Sequence, residues 1–239
     1  MSADLRVDWC SYEAAKYAVE HWHYSKSFRI FPRITIGVWE GNKFVGSIIF
    51  AKGANNNLGS PYGLEPLECC ELVRVALSPH VSFVSSALSR SIKLLQKNSP
   101  GLRLIVSFAD KNQGHVGIIY QASNWIYTGE TPPATAYVDK GGRVFHQREV
   151  SVSGIKPYFG EPRRVAKIAD CKRVTIDGKH RYLYPLDRAM RKQIAPLAKP
   201  YPKRETCGPS VEGDMPSQTE SSVRSAGAAL NSEITVSDG

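Results

Sequence analysis

The sequence predicts a mixed α/β fold, a sandwich of helices on a mixed central sheet. Apolar strand patterns and helical patterns alternate over residues 12–129, in the order α-β-β-β-α-β-α-β. Hydrophobic residues make up 42% of the chain and aromatic residues 10%, which is ordinary for a protein that buries a core. No apolar run approaches the roughly 18 residues of a membrane helix, and the N-terminus has no apolar signal region. We therefore expect a cytoplasmic protein that does not contact a membrane.

The first three elements follow from local patterns. Apolar residues at helical spacing predict a helix over Tyr12–Tyr24, with Ser11 as its N-cap. Two apolar strands, Thr35–Trp39 and Phe44–Phe50, flank Glu40–Lys43, and this arrangement predicts a hairpin.

A strand and a helix come next. Glu71–Leu77 has a strand pattern that Ser78-Pro79 ends. A helix follows through Leu95, for which Ser82 or Ser85 would be the N-cap.

The segment Ser107–Gly129 is the most informative part of the chain. It follows an apolar strand, turns through Asp110–Gly114, and then places Tyr120 in a helical pattern before an extended exit at Trp125–Tyr127. Any αβ unit of an α/β protein has this outline. The late Tyr and the Ser-Asn-Trp exit resemble the acyl-CoA-dependent acyltransferases of the GNAT superfamily. In that fold the helical Tyr stands near the thioester and can protonate the departing thiolate.

Two further hairpins are predicted after this unit. Ala134–Val138 pairs with Arg143–Val152, and Arg173–Ile176 pairs with Lys179–Tyr184 around Asp177-Gly178. Neither belongs to a minimal acyltransferase core. We therefore expect a catalytic domain over residues 1–205 that includes a basic β-rich extension over about 131–205, and a disordered acidic tail over 206–239.

The charge is distributed unevenly. The formal net charge is +9, and the tail carries five acids and one base, so residues 1–205 carry +13. Such a body favours polyanions, with double-stranded DNA first. Bases and aromatics alternate after Glu161, and the candidate DNA-binding residues are Lys172, Arg173, Lys179, Arg181 and Tyr182. A solvated basic face over core aromatics is the alternative.

Five cysteines, an odd number without CxxC spacing, argue against a disulfide framework and against a four-cysteine zinc site. A reducing compartment fits this pattern.

Candidate catalytic residues come from two places. The first helix ends in His, Trp, Tyr and Ser residues that include His23 and Tyr24. The second place is Asp110, which directly follows a predicted strand and precedes Tyr120 by ten residues. His23 and Asp110 could ligate a divalent metal or act as base and orienter. Each residue taken alone is more often structural than catalytic.

The donor side of a transfer reaction is predicted separately. Arg74 interrupts an apolar strand, and a buried charge needs a partner in the fold or in a cleft. Ser82, Ser85 and Ser86 precede or begin a helix, where backbone N–H groups can hold a pyrophosphate. The glycine-rich loop of ordinary CoA-binding proteins is missing here. The serines could equally cap a core helix.

Three blocks of sequence together resemble the Mom DNA-modification proteins of Mu-like phages. They are HYS at 23–25, QGHVGIIYQASNWIYTG at 113–129, and HRYLYPL at 180–186. The resemblance implies an enzyme that converts adenine N6 in phage DNA to a carbamoylmethyl form, so that host restriction enzymes fail. It implies His23, Tyr24, Asp110 and Tyr120 as active-site residues, and Arg74 with the serine loop on the donor side. It also implies a group donor, acetyl-CoA or a related acyl donor, and a divalent metal, possibly iron.

Two readings compete with DNA modification. One is a small-molecule or protein N-acyltransferase on the same fold. The other is a DNA-binding protein without catalysis, whose binding falls steeply with salt. The sequence leaves the donor, the metal, the target context and the oligomeric state open.

Overall fold

The computed structural model describes residues 4–28, 32–53, 57–158 and 160–203. The predicted acidic tail, residues 206–239, lies outside the described residues. No helix in these ranges is long and apolar enough to span a membrane.

Seven strands form the main sheet, and four α-helices accompany them. The strands are β1 (Leu5–Trp9), β2 (Pro32–Glu40), β3 (Lys43–Ala51), β4 (Cys69–Leu77), β5 (Leu104–Ala109), β6 (Ile126–Glu130) and β14 (His180–Pro185). The helices are α1 (Tyr12–Trp22), α2 (Val84–Asn98), α3 (Ile118–Gln121) and α4 (Arg188–Ile194). The spatial order is β1-β2-β3-β4-β5-β14-β6. Only β4 and β5 of this sheet pair in parallel, so the predicted mixed sheet is confirmed.

The two long helices lie on opposite faces of this sheet. Ile48 packs in one cluster with residues of α2, while its neighbour Ile49 packs in another with residues of α1. Successive side chains of a strand point to opposite faces, so this alternation places α1 and α2 on either side. Ser11 caps α1 by accepting the N–H of Ala14, as the sequence predicts.

Outside the main sheet, the described residues form a three-stranded sheet and two short strand pairs. The three strands, in the order β13-β7-β8, are β7 (Ala134–Asp139), β8 (Val144–His146) and β13 (Cys171–Ile176). The pairs are β9 (Val150–Ser151) with β12 (Ala166–Lys167), and β10 (Ile155–Tyr158) with β11 (Glu161–Arg164). The predicted hairpin between β7 and β8 is confirmed.

The hairpin predicted around Asp177-Gly178 is wrong. β13 pairs with β7, whereas β14 lies between β5 and β6 in the main sheet. β14 is buried along most of its length, because both of its neighbours are core strands. The segment predicted as an extension therefore supplies an interior strand of the main sheet, next to the edge strand β6.

Candidate active site between two diverging strands

A cleft opens where the parallel strands β4 and β5 separate. Their ladder of paired residues ends at Leu72 and Ser107, although β4 continues to Leu77. The cleft has a volume of about 500 Å³. The end of α1, the diverging strands, and the segment from Asp110 to Tyr120 line it. The four predicted catalytic residues, His23, Tyr24, Asp110 and Tyr120, all line the cleft, so the fold brings the two predicted places together.

Tyr120 lines this cleft and is buried, with 8% of its surface exposed. Its hydroxyl is 2.8 Å from the Ser107 hydroxyl, which is 2.9 Å from the carbonyl oxygen of Leu72. A carbonyl can only accept, so when Ser107 donates to Leu72 its oxygen is left to accept the proton of Tyr120. Burial raises the pKa of Tyr120 to about 12. The phenol is therefore protonated at neutral pH.

His23 follows α1 and is buried, with 7% of its surface exposed. Its Nδ1 accepts the backbone N–H of Ser25 at 3.1 Å and lies 2.8 Å from the Ser25 hydroxyl. Burial, and then the charges of Arg74 and His115, lower the pKa of His23 to about 4. Since Nδ1 is an acceptor, the neutral imidazole carries its proton on Nε2 and can donate it to a ligand.

Tyr24 forms an exposed aromatic surface at the mouth of the cleft. About half of its surface is exposed, and its ring lies 4.2 Å from that of His23 and 5.6 Å from that of His115. Sequence reasoning did not single out His115, although it lies within the QGH motif. The residue lines the cleft together with Asp110, whose carbonyl oxygen accepts the His115 backbone N–H.

Asp110 is held in an ion pair at the edge of the cleft. Its Oδ2 lies 3.0 Å from Nζ of Lys179, and Oδ1 accepts the backbone N–H of Asn112. Burial opposes ionisation, but the hydrogen bonds and charge of Lys179, with Asn112, outweigh it and lower the pKa of Asp110. Lys179, a predicted DNA contact, is thus the partner of a predicted catalytic carboxylate.

The predicted metal pair, His23 and Asp110, lines the cleft but does not complete a ligand set. Within the described ranges, no three His, Cys, Asp or Glu side chains come together as metal ligands. The carboxylate of Asp110 is already paired with Lys179. Among the described residues, the side chains at the cleft therefore do not fit a metal centre.

Arg74 projects from β4 into the same cleft. Its Nη1 donates to the carbonyl of Val73, while its buried Nε has no hydrogen-bond partner. Desolvation by burial lowers the pKa of this guanidinium, although Tyr24 and Glu71 act in the opposite direction. A buried donor without an acceptor fits a carbonyl or amide oxygen of a bound group.

The serine loop departs from its predicted role. α2 begins after Phe83, whose side chain makes no cap hydrogen bond, so neither Ser82 nor Ser85 is the N-cap. From this region His80 and Val84 line the cleft, and Ser82, Ser85 and Ser86 are not among its described lining residues. The backbone N–H of Ser82 is already bonded to the carboxylate of Glu40.

The predicted DNA-binding residues differ in exposure, and only some of them are accessible to DNA. Lys172 and Arg173 are exposed on β13. Arg181 donates from Nε to the hydroxyl of Thr128, at 2.9 Å. Tyr182 is fully buried and donates its hydroxyl to the carbonyl of Val116, so its prediction as a DNA contact is wrong.

Comparison with known proteins gives the family. A model described as the Mom protein family matches residues 4–203. The chain belongs to the Mom protein family. The resemblance predicted from the HYS, QGH and HRYLYPL blocks is therefore confirmed. The methylcarbamoylase mom of Escherichia phage Mu is 28% identical over 211 residues, which cover 84% of this chain and 85% of that protein.

Three solved acetyltransferase structures are similar to this Mom-family chain. One is yncA from Salmonella typhimurium, described as an acetyltransferase with its cofactor acetyl-CoA (TM-score 0.43, 11% identity, 77% of this chain and 95% of that one). A GNAT-family acetyltransferase from Bacillus cereus has a TM-score of 0.39 and 14% identity, over 77% and 99% of the two chains. A mutant agmatine N-acetyltransferase has a TM-score of 0.41 and 7% identity, over 76% and 100%.

Proposed function

We propose that this Mom-family chain is a phage DNA-modification enzyme. It transfers a group to N6 of adenine in double-stranded DNA, forming N6-carbamoylmethyladenine, and so protects phage DNA from restriction in the host cytoplasm. The observation that carries the proposal is the cleft. His23 and Tyr24 of the HYS block and His115 of the QGH block, separated by about 90 residues of sequence, line one cavity with Arg74 and Tyr120.

The substrate adenine must leave the DNA stack to reach this cavity. Tyr24 is the surface on which the extruded base stacks, because its ring is exposed at the mouth of the cleft. Trp125 is fully buried and packs against Tyr120 in the core, so it offers no stacking surface. Its ring centroid lies 5.0 Å from that of Tyr120, and this packing fixes the position of the Tyr120 ring.

The donor is held and polarised by two hydrogen-bond donors. Neutral His23 offers Nε2–H, and Arg74 offers the unpartnered Nε. Donors aimed at an oxygen where negative charge develops stabilise the transition state, and they do so most effectively in a site that excludes water.

Two protons must move in the transfer. The N6 amine loses one proton as its new bond forms, and the departing group of the donor gains one. Tyr120 supplies the second when its hydroxyl turns from Ser107 to the departing group, because its raised pKa keeps it protonated until then. His115 receives the first, since His23 uses Nδ1 as an acceptor for Ser25 and Asp110 is paired with Lys179.

Asp110 positions the loop that carries His115. Its carbonyl accepts the His115 N–H, and its carboxylate pairs with Lys179 at the start of β14. This ion pair connects the cleft to the basic segment that contains Lys172 and Arg173.

Mass spectrometry of nucleosides from plasmid DNA tests the proposal in cells that express the chain. We expect a deoxyadenosine heavier by one carbamoylmethyl group, and loss of this species in His23→Ala, Asp110→Ala and Tyr120→Phe. An acetyl-sized addition would support adenine in DNA as the substrate, but it would replace carbamoylmethyl transfer by simple acetyl transfer. Unmodified DNA from folded protein, or near-normal modification in all three variants, would contradict the proposal.

A further inference from the structure

The turn between β2 and β3 reaches the loop that precedes α2. Oε1 of Glu40 accepts the backbone N–H of Ser82 at 2.6 Å and that of Val81 at 3.0 Å, and Oε2 lies 3.1 Å from the Val81 nitrogen. Consecutive backbone N–H groups ahead of a helix are a favourable place for an anion. In this chain the anion is one of its own side chains.

Several contacts keep this arrangement in place without a ligand. Hydrogen bonds from the side chain and backbone of Ser82 lower the pKa of Glu40, with Val81 and His80 acting in the same direction. The carboxylate is therefore ionised at neutral pH. Ser78, which precedes the Val81 and Ser82 contacts with Glu40, donates its N–H and its hydroxyl to the carbonyl of Val45. The loop is thus attached to the β2–β3 hairpin at both ends.

A donor with a pyrophosphate does not fit this loop as it stands. The backbone N–H groups of Val81 and Ser82, which lie ahead of α2, are bonded to Glu40, and a phosphate placed beside that carboxylate meets a like charge. The hydrogen-bond donors that remain in the cleft, on Arg74 and His23, suit a small polar group instead.

We propose that Glu40 is a specificity-determining residue that takes the place of donor phosphates ahead of α2. The cleft then selects its donor by the transferred group and not by a pyrophosphate. This rests on the proposed function only in taking the cleft as the donor site.

Calorimetric binding of two probes to the full-length chain tests this at physiological ionic strength. Coenzyme A carries the pyrophosphate, and pantetheine is the corresponding arm without phosphates. For the natural chain we expect the two affinities to agree within about threefold. In Glu40→Ala the affinity for coenzyme A should rise about tenfold, the effect of one charge-assisted interaction of ~1.4 kcal/mol, with pantetheine unchanged.

Two further variants make the outcome decisive. Glu40→Gln keeps an oxygen acceptor of the same shape without the charge. The ratio of the affinity for coenzyme A to that for pantetheine should therefore rise in this variant too, but by less than in Glu40→Ala. Glu161→Ala removes an equal charge from exposed β11 and should leave the ratio unchanged. An unchanged ratio in both Glu40 variants, or a natural chain that already binds coenzyme A more than about tenfold more tightly than pantetheine, would overturn the proposal. The readout is donor binding, so this result is distinct from a failure to modify DNA.

Discussion

β13 and β14 are separated by three residues, yet they lie in regions of opposite character. β13 belongs to a three-stranded sheet, and none of its side chains is fully buried; Lys172 and Arg173 are exposed. β14 lies inside the main sheet, where Tyr182 and Leu183 are fully buried. A strand with core strands on both sides has no solvent edge, whereas β13 keeps one face and one edge for contacts.

This difference separates two tasks in the proposed function. The main sheet holds the reacting groups at fixed distances, as the contact between Tyr120 and Ser107 illustrates. The three-stranded sheet presents exposed charges, Lys172 and Arg173, which suit a polyanion that is contacted along its backbone. If the division is right, changes in one region should alter catalysis or stability, and changes in the other should alter DNA affinity.

The largest effect should come from Tyr120→Phe. Removing the hydroxyl that donates a proton should reduce the rate of DNA modification by about 10²- to 10⁴-fold, with duplex affinity unchanged. Tyr182→Phe is the matched control, because its ring lies 4.9 Å from that of Tyr120 but its hydroxyl bonds to the Val116 carbonyl. Single-turnover rates on duplex DNA measure both. Equal losses in the two variants would show that Tyr120 has only a packing role.

Gly178→Ala tests the junction between the two regions. A Cβ built at Gly178 would lie 1.7 Å from the carbonyl oxygen of Thr131, which is backbone and has little freedom to move. Overpacking of this kind should lower the free energy of unfolding by about 3 kcal/mol. Gly101→Ala is the control, because nothing lies within 4 Å of its added Cβ. If urea unfolding gives the same free energy of unfolding for both variants, the close approach of Gly178 to the Thr131 carbonyl is contradicted.

Reversing two charges on β13 should weaken DNA binding and leave catalysis intact. We expect Lys172→Glu combined with Arg173→Glu to reduce duplex affinity about tenfold and to reduce the slope of log affinity against log salt by about 2. Arg188→Glu with Arg191→Glu, on the exposed face of α4, is the control of equal charge. Fluorescence anisotropy over a salt series separates them. A slope reduced equally in both pairs would mean that DNA responds only to net charge.

The smallest effect concerns His23 and pH. Its pKa is about 4 in the folded chain, below the ordinary value of 6.5, so between these values the unfolded chain binds more protons. Stability contributed by the neutral ring is therefore present above pH 6.5 and is lost as the pH falls towards 4. In His23→Gln the free energy of unfolding should decline less over this window. Parallel declines in denaturation curves would show that His23 titrates normally.

Local sequence patterns, formed by residues close together in the chain, predicted several elements of this fold correctly. The helical spacing after Ser11, the hairpin at Glu40–Lys43 and the turn at Asp110 are all set by residues a few positions apart, and the structure has each of them. The sequence blocks of the Mom family also named His23, Tyr24, Asp110 and Tyr120, which the cleft brings together.

Tertiary structure alone decided the rest. β14 joined the main sheet because its apolar residues gain more from two buried neighbours than from a hairpin with β13, and burial then removed Tyr182 from the DNA surface. Lys179 became the partner of Asp110, and Glu40 reached Val81 and Ser82 across about 40 residues of sequence. Such contacts depend on which surfaces meet when the sheet closes, and no local spacing encodes that choice.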